Sequence, residues 1–280
     1  MNHFFVIANK AKDPEHCYTD RISSYLRKHG AQVSCLVNGQ EETPVRVPEG
    51  IDCAIVLGGD GTLLKAAGDL MEQEIPLLGV NLGTLGYLAE VEIGNIETAL
   101  DKLLRDEYTR EARMMLSGGV FREGRNVVHD FALNDIVISR CGSLQILHFH
   151  IYVNGRFLNG YGADGMIVAT PTGSTGYNMS AGGPIVEPGA SLLLLTPICP
   201  HTLNTRSIVL APDDEVVIEI PEGRENCVQK VEASFDGSHR VILQTGDKIV
   251  IKKASKTTEI LKLNTESLSL IHISEPTRPY

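Results

Sequence analysis

The chain has 280 residues, 42% of them apolar and 21% charged, enough to bury a large core as two domains or one large one. A net charge of −10 with no long basic block leaves no electrostatic footprint for nucleic acid or an anionic membrane surface. No apolar run reaches the length of a membrane span or a secretory leader. The six cysteines, at 17, 35, 53, 141, 199 and 227, form no C-x-x-C pair, so a cytoplasmic protein with reduced thiols and no zinc site is expected.

The first hundred residues alternate strand and helix. Phe4 to Ala8 reads as a buried strand, and Asp13-Pro14-Glu15 as a helix opening with Asp13 as cap. Tyr18, Ile22, Tyr25 and Leu26 recur at helical spacing until Gly30 stops the helix. Gln32 to Val37 and Ile51 to Leu57 follow as strands, then a helix to about Met71 and a fourth strand over Ile75 to Val80. Asn95 opens a further helix with Ile96, Leu100, Leu103 and Leu104 on one face. Continuous apolar strands between helices imply an α/β domain with a parallel sheet, whose ligands sit at the carboxyl ends of the strands.

Between the third strand and its helix stands Gly58-Gly59-Asp60-Gly61-Thr62. Two readings fit this turn. It is an ordinary strand-to-helix corner with Asp60 as N-cap, or a loop whose backbone N–H groups cradle phosphate while Asp60 is left to do chemistry. Its spacing excludes a Walker-type loop and the dinucleotide fingerprint.

From about Arg113 the period changes to two. Val127 to Phe131, Leu133 to Ser139, Leu147 to Val153, Met166 to Thr170, Ser207 to Leu210, Glu215 to Ile220, Val231 to Phe235 and Asp247 to Lys252 read as strands of a mostly β second domain. His148 and His150 share a strand face and read as structural. A second unusual stretch runs from Asp164-Gly165 through Thr170-Pro171-Thr172-Gly173-Ser174-Thr175-Gly176-Tyr177 to Gly182-Gly183-Pro184. It is a neutral hydroxyl-rich loop suited to a polar ligand with an aromatic face beside it, although a solvated loop has the same composition.

Taken together and in this order, the glycine turn, Asn134-Asp135, Asp164-Gly165 and the hydroxyl-rich loop resemble bacterial NAD kinases. Asn81-Leu82-Gly83-Thr84-Leu85-Gly86, Pro200-His201-Thr202-Leu203 and Arg206 also fit, so the resemblance spans about Phe4 to Leu263. It implies transfer of the terminal phosphate of ATP to the 2′-hydroxyl of the adenosine ribose of NAD, with Mg²⁺ or another divalent cation, in a homodimer or homotetramer. Asp60 would accept the hydroxyl proton. Gly58, Gly59, Gly61 and Thr62 would support phosphates, with Lys65 adding charge. Asn134 and Asp135 would grip the adenosine and its ribose. Asp164 and the loop residues Thr172, Ser174, Thr175, Gly176, Tyr177, Asn178, Met179 and Ser180 would hold the rest of the dinucleotide. Gln145, Gly162 and Ser238 align with ligand-contacting positions of varying residue type. Asp135 stands where the family usually has Glu, and Ser238 where it often has Gln. A lipid or sugar kinase sharing the glycine turn, and a non-catalytic NAD(H)-binding sensor, are the competing readings.

The expected domains are 1–112, carrying the glycine turn, and 113–255, binding NAD, with 256–268 returning to the first domain. The last stretch, 269–280, has no helical period and carries Pro276 and Pro279. It resembles a translated sequencing adapter and reads as a non-native tail.

Overall fold

The computed structural model describes residues 1–38, 47–83, 86–142, 146–201, 206–223 and 226–263. Gln145 and the stretch 269–280 lie outside them. The described residues form two compact units: 1–112 with 258–263, and Arg113–Thr257.

In the first unit, strands β1 (His3–Asn9), β2 (Gln32–Asn38), β3 (Cys53–Gly58) and β4 (Leu77–Asn81) pair in parallel in the order β2-β1-β3-β4. Short β5 (Val91–Glu92) runs parallel to the end of β4, and Ile260 pairs with Leu77 at its start. Every residue of β3 and β4 is buried, as continuous apolar runs require when helices cover a sheet. Phe4, Val6, Ile55, Leu57, Leu78 and Val80 pack with Ile22 and Leu26 of α1 (Cys17–Lys28). After α2 (Asp60–Leu70), helix α3 (Ile96–Leu104) adds Ile96, Leu100 and Leu103 to this core.

The opening of α1 departs from the sequence reading. The helix starts at Cys17, with His16 in a left-handed conformation at its N-cap, rather than at Pro14. Asp13 still caps it from a distance. Its buried carboxylate accepts the N–H groups of Tyr18 (3.2 Å) and Thr19 (2.9 Å) and the Thr19 hydroxyl (2.7 Å). Burial, the largest single influence, raises its pKa, but these bonds together, the Thr19 hydroxyl foremost, outweigh it and hold the group below the usual carboxylate range.

The second unit is antiparallel. Its strands are β6 (Thr109–Arg122, shared with the first unit), β7 (Arg125–Ala132), β8 (Asp135–Arg140), β9 (Leu147–Val153), β10 (Arg156–Ala163) and β11 (Gly165–Ala169). After the short helix α4 (Tyr177–Ser180) come β12 (Leu193–Ile198), β13 (Ile208–Leu210), β14 (Val216–Glu219), β15 (Lys230–Phe235), β16 (His239–Gln244) and β17 (Lys248–Lys262, its end shared with the first unit). One sheet has the order β13-β12-β11-β8-β15-β16; in the other, β10-β9-β14 continues to β17. Phe149, Ile151, Ile218 and Ile251 of one sheet pack with Ile136, Met166, Leu195 and Phe235 of the other. The sequence reading misses β6, β10, β12 and β16. The first five residues of β10 are exposed, and β16 has exposed polar residues at both ends, so neither of these two shows a clean period of two.

Candidate functional site

In the first unit the predicted residues gather at the carboxyl end of β3. Gly59 is the N-cap of α2 and extended, and Asp60 is the first helical residue. The N-cap reading of Asp60 is thus replaced: its carboxylate turns onto the neighbouring segment, accepting the N–H groups of Tyr87 (2.9 Å) and Leu88 (3.2 Å). Gly86 makes this possible, because a Cβ there would overlap the Asp60 carboxylate.

Gly58, Gly61 and Thr62 belong to the same corner. The Thr62 side chain occupies the space beside Gly58, and its Oγ1 accepts from Asn9 Nδ2 at 3.3 Å. Leu82 N–H donates to the Gly58 carbonyl (3.0 Å), which joins the end of β3 to the end of β4. There buried Asn81 clamps Gly83 at both its N–H (3.0 Å) and its carbonyl (2.9 Å). Lys65 lies five residues beyond Asp60 on α2, rotated by about 140° around the helix. The helix therefore does not aim Lys65 and Asp60 the same way.

A residue the sequence reading passed over completes the corner. Lys12, in the loop after β1, reaches across to Gly59 and Gly83; a Cβ at those positions would lie 2.9 Å and 3.5 Å from its Nζ. The available signal was a lysine three residues after Asn9, at the carboxyl end of the strand beside β3.

In the second unit Asn134, Asp135 and the hydroxyl-rich loop come together. Gly173 packs directly on the Asn134 backbone, where any Cβ would collide with the Asn134 carbonyl. Thr170 N–H donates to that same carbonyl (2.9 Å), and Gly173 N–H donates to the Thr170 hydroxyl (3.1 Å). A Cβ at Gly176 would lie 3.5 Å from Asn134 Nδ2 and 3.8 Å from Asp135 Oδ2, so both side chains face the loop. Asn134 Oδ1 is buried and has no partner among the described residues, which buried polar atoms rarely lack.

The loop divides its residues between scaffold and surface. Ser174 is fully buried, and its hydroxyl both donates to the Val186 carbonyl (3.1 Å) and accepts the Val186 N–H (3.0 Å). Asn178 is 0% exposed; its Nδ2 donates to the carbonyls of Ser174 and Pro184 and its Oδ1 accepts from Thr196 Oγ1 (2.7 Å). Thr172 accepts from Arg113 Nη1 (3.4 Å). These three side chains hold the loop's shape. Tyr177, 47% exposed, together with Met179 and Ser180 presents the outer surface, while Thr175 and Gly176 are half-buried.

Asp164 directly precedes β11 and is paired with Arg140 (3.3 Å), both partly exposed. Gly162 stands two residues earlier on β10, and its carbonyl accepts the His201 N–H (2.8 Å). Ser238 donates to the Phe235 carbonyl of its own turn (3.2 Å).

That turn contains Asp236, a second residue the sequence reading left without a role. Its carboxylate receives the N–H groups of Leu133 (2.7 Å), Asn134 (2.9 Å) and Asp135 (3.0 Å), fixing the Asn134-Asp135 pair. Burial pushes its pKa up to about 6 in spite of those donors. Burial, and then the charge of Asp236, push Asp135 up to about 7. At neutral pH Asp135 is therefore divided between a carboxylate and a carboxylic acid able to donate to a ligand oxygen.

No group of three or more His, Cys, Asp or Glu that could cage a metal occurs among the described residues. Nor is any of their helices long and apolar enough to cross a membrane.

Comparison with known proteins fixes the kinship. Residues 7–108 match the ATP-NAD kinase N-terminal domain family and residues 133–263 the ATP-NAD kinase C-terminal domain family. An NAD kinase of Agathobacter rectalis is 48% identical, the match covering 95% of each chain. One from Lachnospira eligens is 44% identical over 94% of this chain and 95% of that one. The chain belongs to the ATP-NAD kinase family. Its fold matches that of yeast NADH kinase solved with NADH (TM-score 0.81, 24% identity, 98% of this chain and 87% of that one). It also matches the fold of an NAD kinase from Archaeoglobus fulgidus solved with ATP (TM-score 0.79, 24% identity, 98% and 100%).

Proposed function

We infer that this chain is an NAD kinase, moving the terminal phosphate of ATP onto the 2′-hydroxyl of the adenosine ribose of NAD to give NADP. The observation that carries the chemistry is Asp60, held by the Tyr87 and Leu88 N–H groups at the head of α2, beside a glycine turn at the carboxyl end of a parallel strand. Phosphoryl transfer requires from the protein chiefly positioning and charge neutralisation, with one acceptor near the attacking hydroxyl. Asp60 takes that proton. Gly58, Gly59, Gly61 and Thr62 line the approach to the phosphates, and Lys65 adds positive charge further along the helix.

Asn134 and Asp135 grip the adenosine and its ribose. The unpartnered Asn134 Oδ1 supports this, as does a carboxyl poised near neutrality, which can exchange hydrogen bonds with a sugar hydroxyl. Thr175, Gly176, Tyr177, Met179, Ser180 and Asp164 hold the remainder of the dinucleotide. Thr172, Ser174 and Asn178 act through the loop they shape. Gly162, Gln145 and Ser238 are assigned to ligand contact on the family resemblance alone.

The donor set at Asp60 fits a magnesium ion that arrives with the nucleotide. Mg²⁺ is usually held by one or two carboxylates plus substrate phosphates rather than by an all-protein cage. When bound it would neutralise phosphate charge, and Asp60 is the side chain that would meet it. We also assign the protein to the cytoplasm and to a homodimer or homotetramer, on the family resemblance and the scattered cysteines, all of them free.

The test is direct. Purified protein with ATP, Mg²⁺ and NAD should yield NADP, read through an NADP-specific dehydrogenase. Protein that binds NAD yet forms no NADP would be a sensor, and turnover only on a lipid or sugar would make it a different kinase.

A further inference from the structure

The Lys12 ammonium lies at the first unit's strand ends, beside Gly59 and Gly83, with no counter-charge among the described residues. Lys12 is set rigidly at its backbone. The Asn9 carbonyl accepts the N–H groups of Lys12 (2.9 Å) and Asp13 (3.0 Å), and Asn9 Oδ1 accepts that of Ala11 (2.9 Å). Asn9 Nδ2 bonds Thr62, tying this loop to the glycine turn, while Asp13 is locked into the opening of α1. From this platform the ammonium reaches over the ends of β3 and β4, against Gly59 and Gly83. Its three donors find no hydrogen-bond or ion-pair partner among the described residues.

The side chain is exposed, so in this structure water and not protein solvates the ammonium. Gly59 is the N-cap of α2, and a helix N-terminus carries partial positive charge, so a cation beside it is repelled. Asp60, the acid that follows Gly59, forms no ion pair with Lys12; its carboxylate accepts the N–H groups of Tyr87 and Leu88. Two positive features held together without an anion between them are balanced when a strongly anionic group occupies the gap.

We propose that Lys12 is a ligand for the polyphosphate chain of the donor nucleotide, acting with the N–H groups of the glycine turn. The inference rests on the kinase reading above and adds a residue to it. Lysine suits the task as a compact point charge on a flexible stem, and a neutral side chain there loses both charge and donors.

The test compares Lys12→Met, which keeps the apolar stem, with Lys12→Arg, which keeps the charge. Charge-assisted hydrogen bonds of this kind correspond to about a tenfold or greater loss of affinity. Lys12→Met should raise the KM for ATP by that factor and leave the KM for NAD and the melting temperature unchanged; Lys12→Arg should recover most of the loss. Calorimetry with inorganic tripolyphosphate should show the same weakening in Lys12→Met, because no adenosine is involved. A folded Lys12→Met protein with the wild-type KM for ATP and wild-type tripolyphosphate affinity overturns the proposal. If the wild type forms no NADP at all, the kinase reading fails instead, and the tripolyphosphate comparison still decides whether Lys12 binds phosphate.

Discussion

Gly86 and Asp60 meet in a space that only a hydrogen can share, since a Cβ on Gly86 would overlap the Asp60 carboxylate. Gly86→Ala should therefore push the acid out of its bonds with Tyr87 and Leu88 and lower kcat at least about tenfold with little loss of fold. Gly68, also on α2, has nothing within 4 Å of the place a Cβ would take, and its φ is unexceptional. Gly68→Ala should raise stability by about 0.5–1 kcal/mol through helix propensity alone. Urea melts of the two variants beside their turnover numbers check the contrast.

Asp60→Asn keeps the shape and the Oδ1 acceptor of the side chain and removes its ability to take a proton. Turnover should fall by about 10²–10⁴, the usual worth of general-base help, with the dissociation constant for NAD unchanged. Single-turnover kinetics and equilibrium NAD binding separate the two effects. A variant with near-wild-type turnover would exclude Asp60 as the base.

Asn178 ties together the carbonyls of Ser174 and Pro184 and the hydroxyl of Thr196 while fully buried. Asn178→Ala removes this donor from the two carbonyls, while Thr196 keeps its bond to Ser207 (2.9 Å), and should cost roughly 2–3 kcal/mol. The loop it shapes also loosens, so the KM for NAD should rise while that for ATP holds. Denaturant titration and a pair of substrate titrations measure both consequences.

Asp135 gives a pH signature. Its pKa is raised from 3.8 to about 7 in the folded protein, so the native state binds the proton more tightly than the unfolded chain. That contribution to stability is complete below pH 3.8 and is lost as pH rises through 7. Asp13 and Asp52, whose values are lowered, act with the opposite sign. The difference between wild type and Asp135→Asn isolates the effect: wild type should lose stability relative to the variant between about pH 4 and 7, and the gap should be constant above about pH 8. Chemical denaturation across that range checks the slope.

Much of this architecture could be read from the residues. Runs such as Ile55-Val56-Leu57 announce strands covered on both faces, and the Gly58-to-Thr62 turn marks the strand end where chemistry gathers. What escaped the sequence has physical reasons. Asp13 caps a helix five and six residues away, because the intervening turn hides the true start at Cys17. Asp236 sits in an Asp-Gly turn indistinguishable by composition from any hairpin, and its role exists only through bonds to Asn134, 102 residues distant in the chain. Lys12 is one exposed lysine among many until the sheet order places its strand beside β3. Asn178 and Ser174 illustrate the reverse: hydroxyl and amide residues in a loop suggest ligand contacts, yet burial turns them inward.

The pairing of Ile260 with Leu77 sets an order of events during synthesis. A ribosome releases Leu77 long before Ile260 exists, so the nascent first unit waits with its sheet unfinished while the whole of the second unit is translated. Its last contact is then among the most distant in the chain, the kind that closes slowly and leaves an incomplete edge open to other chains. Premature termination anywhere in that interval would yield a protein that owns every residue of the glycine turn and lacks the strand that finishes the sheet beneath it.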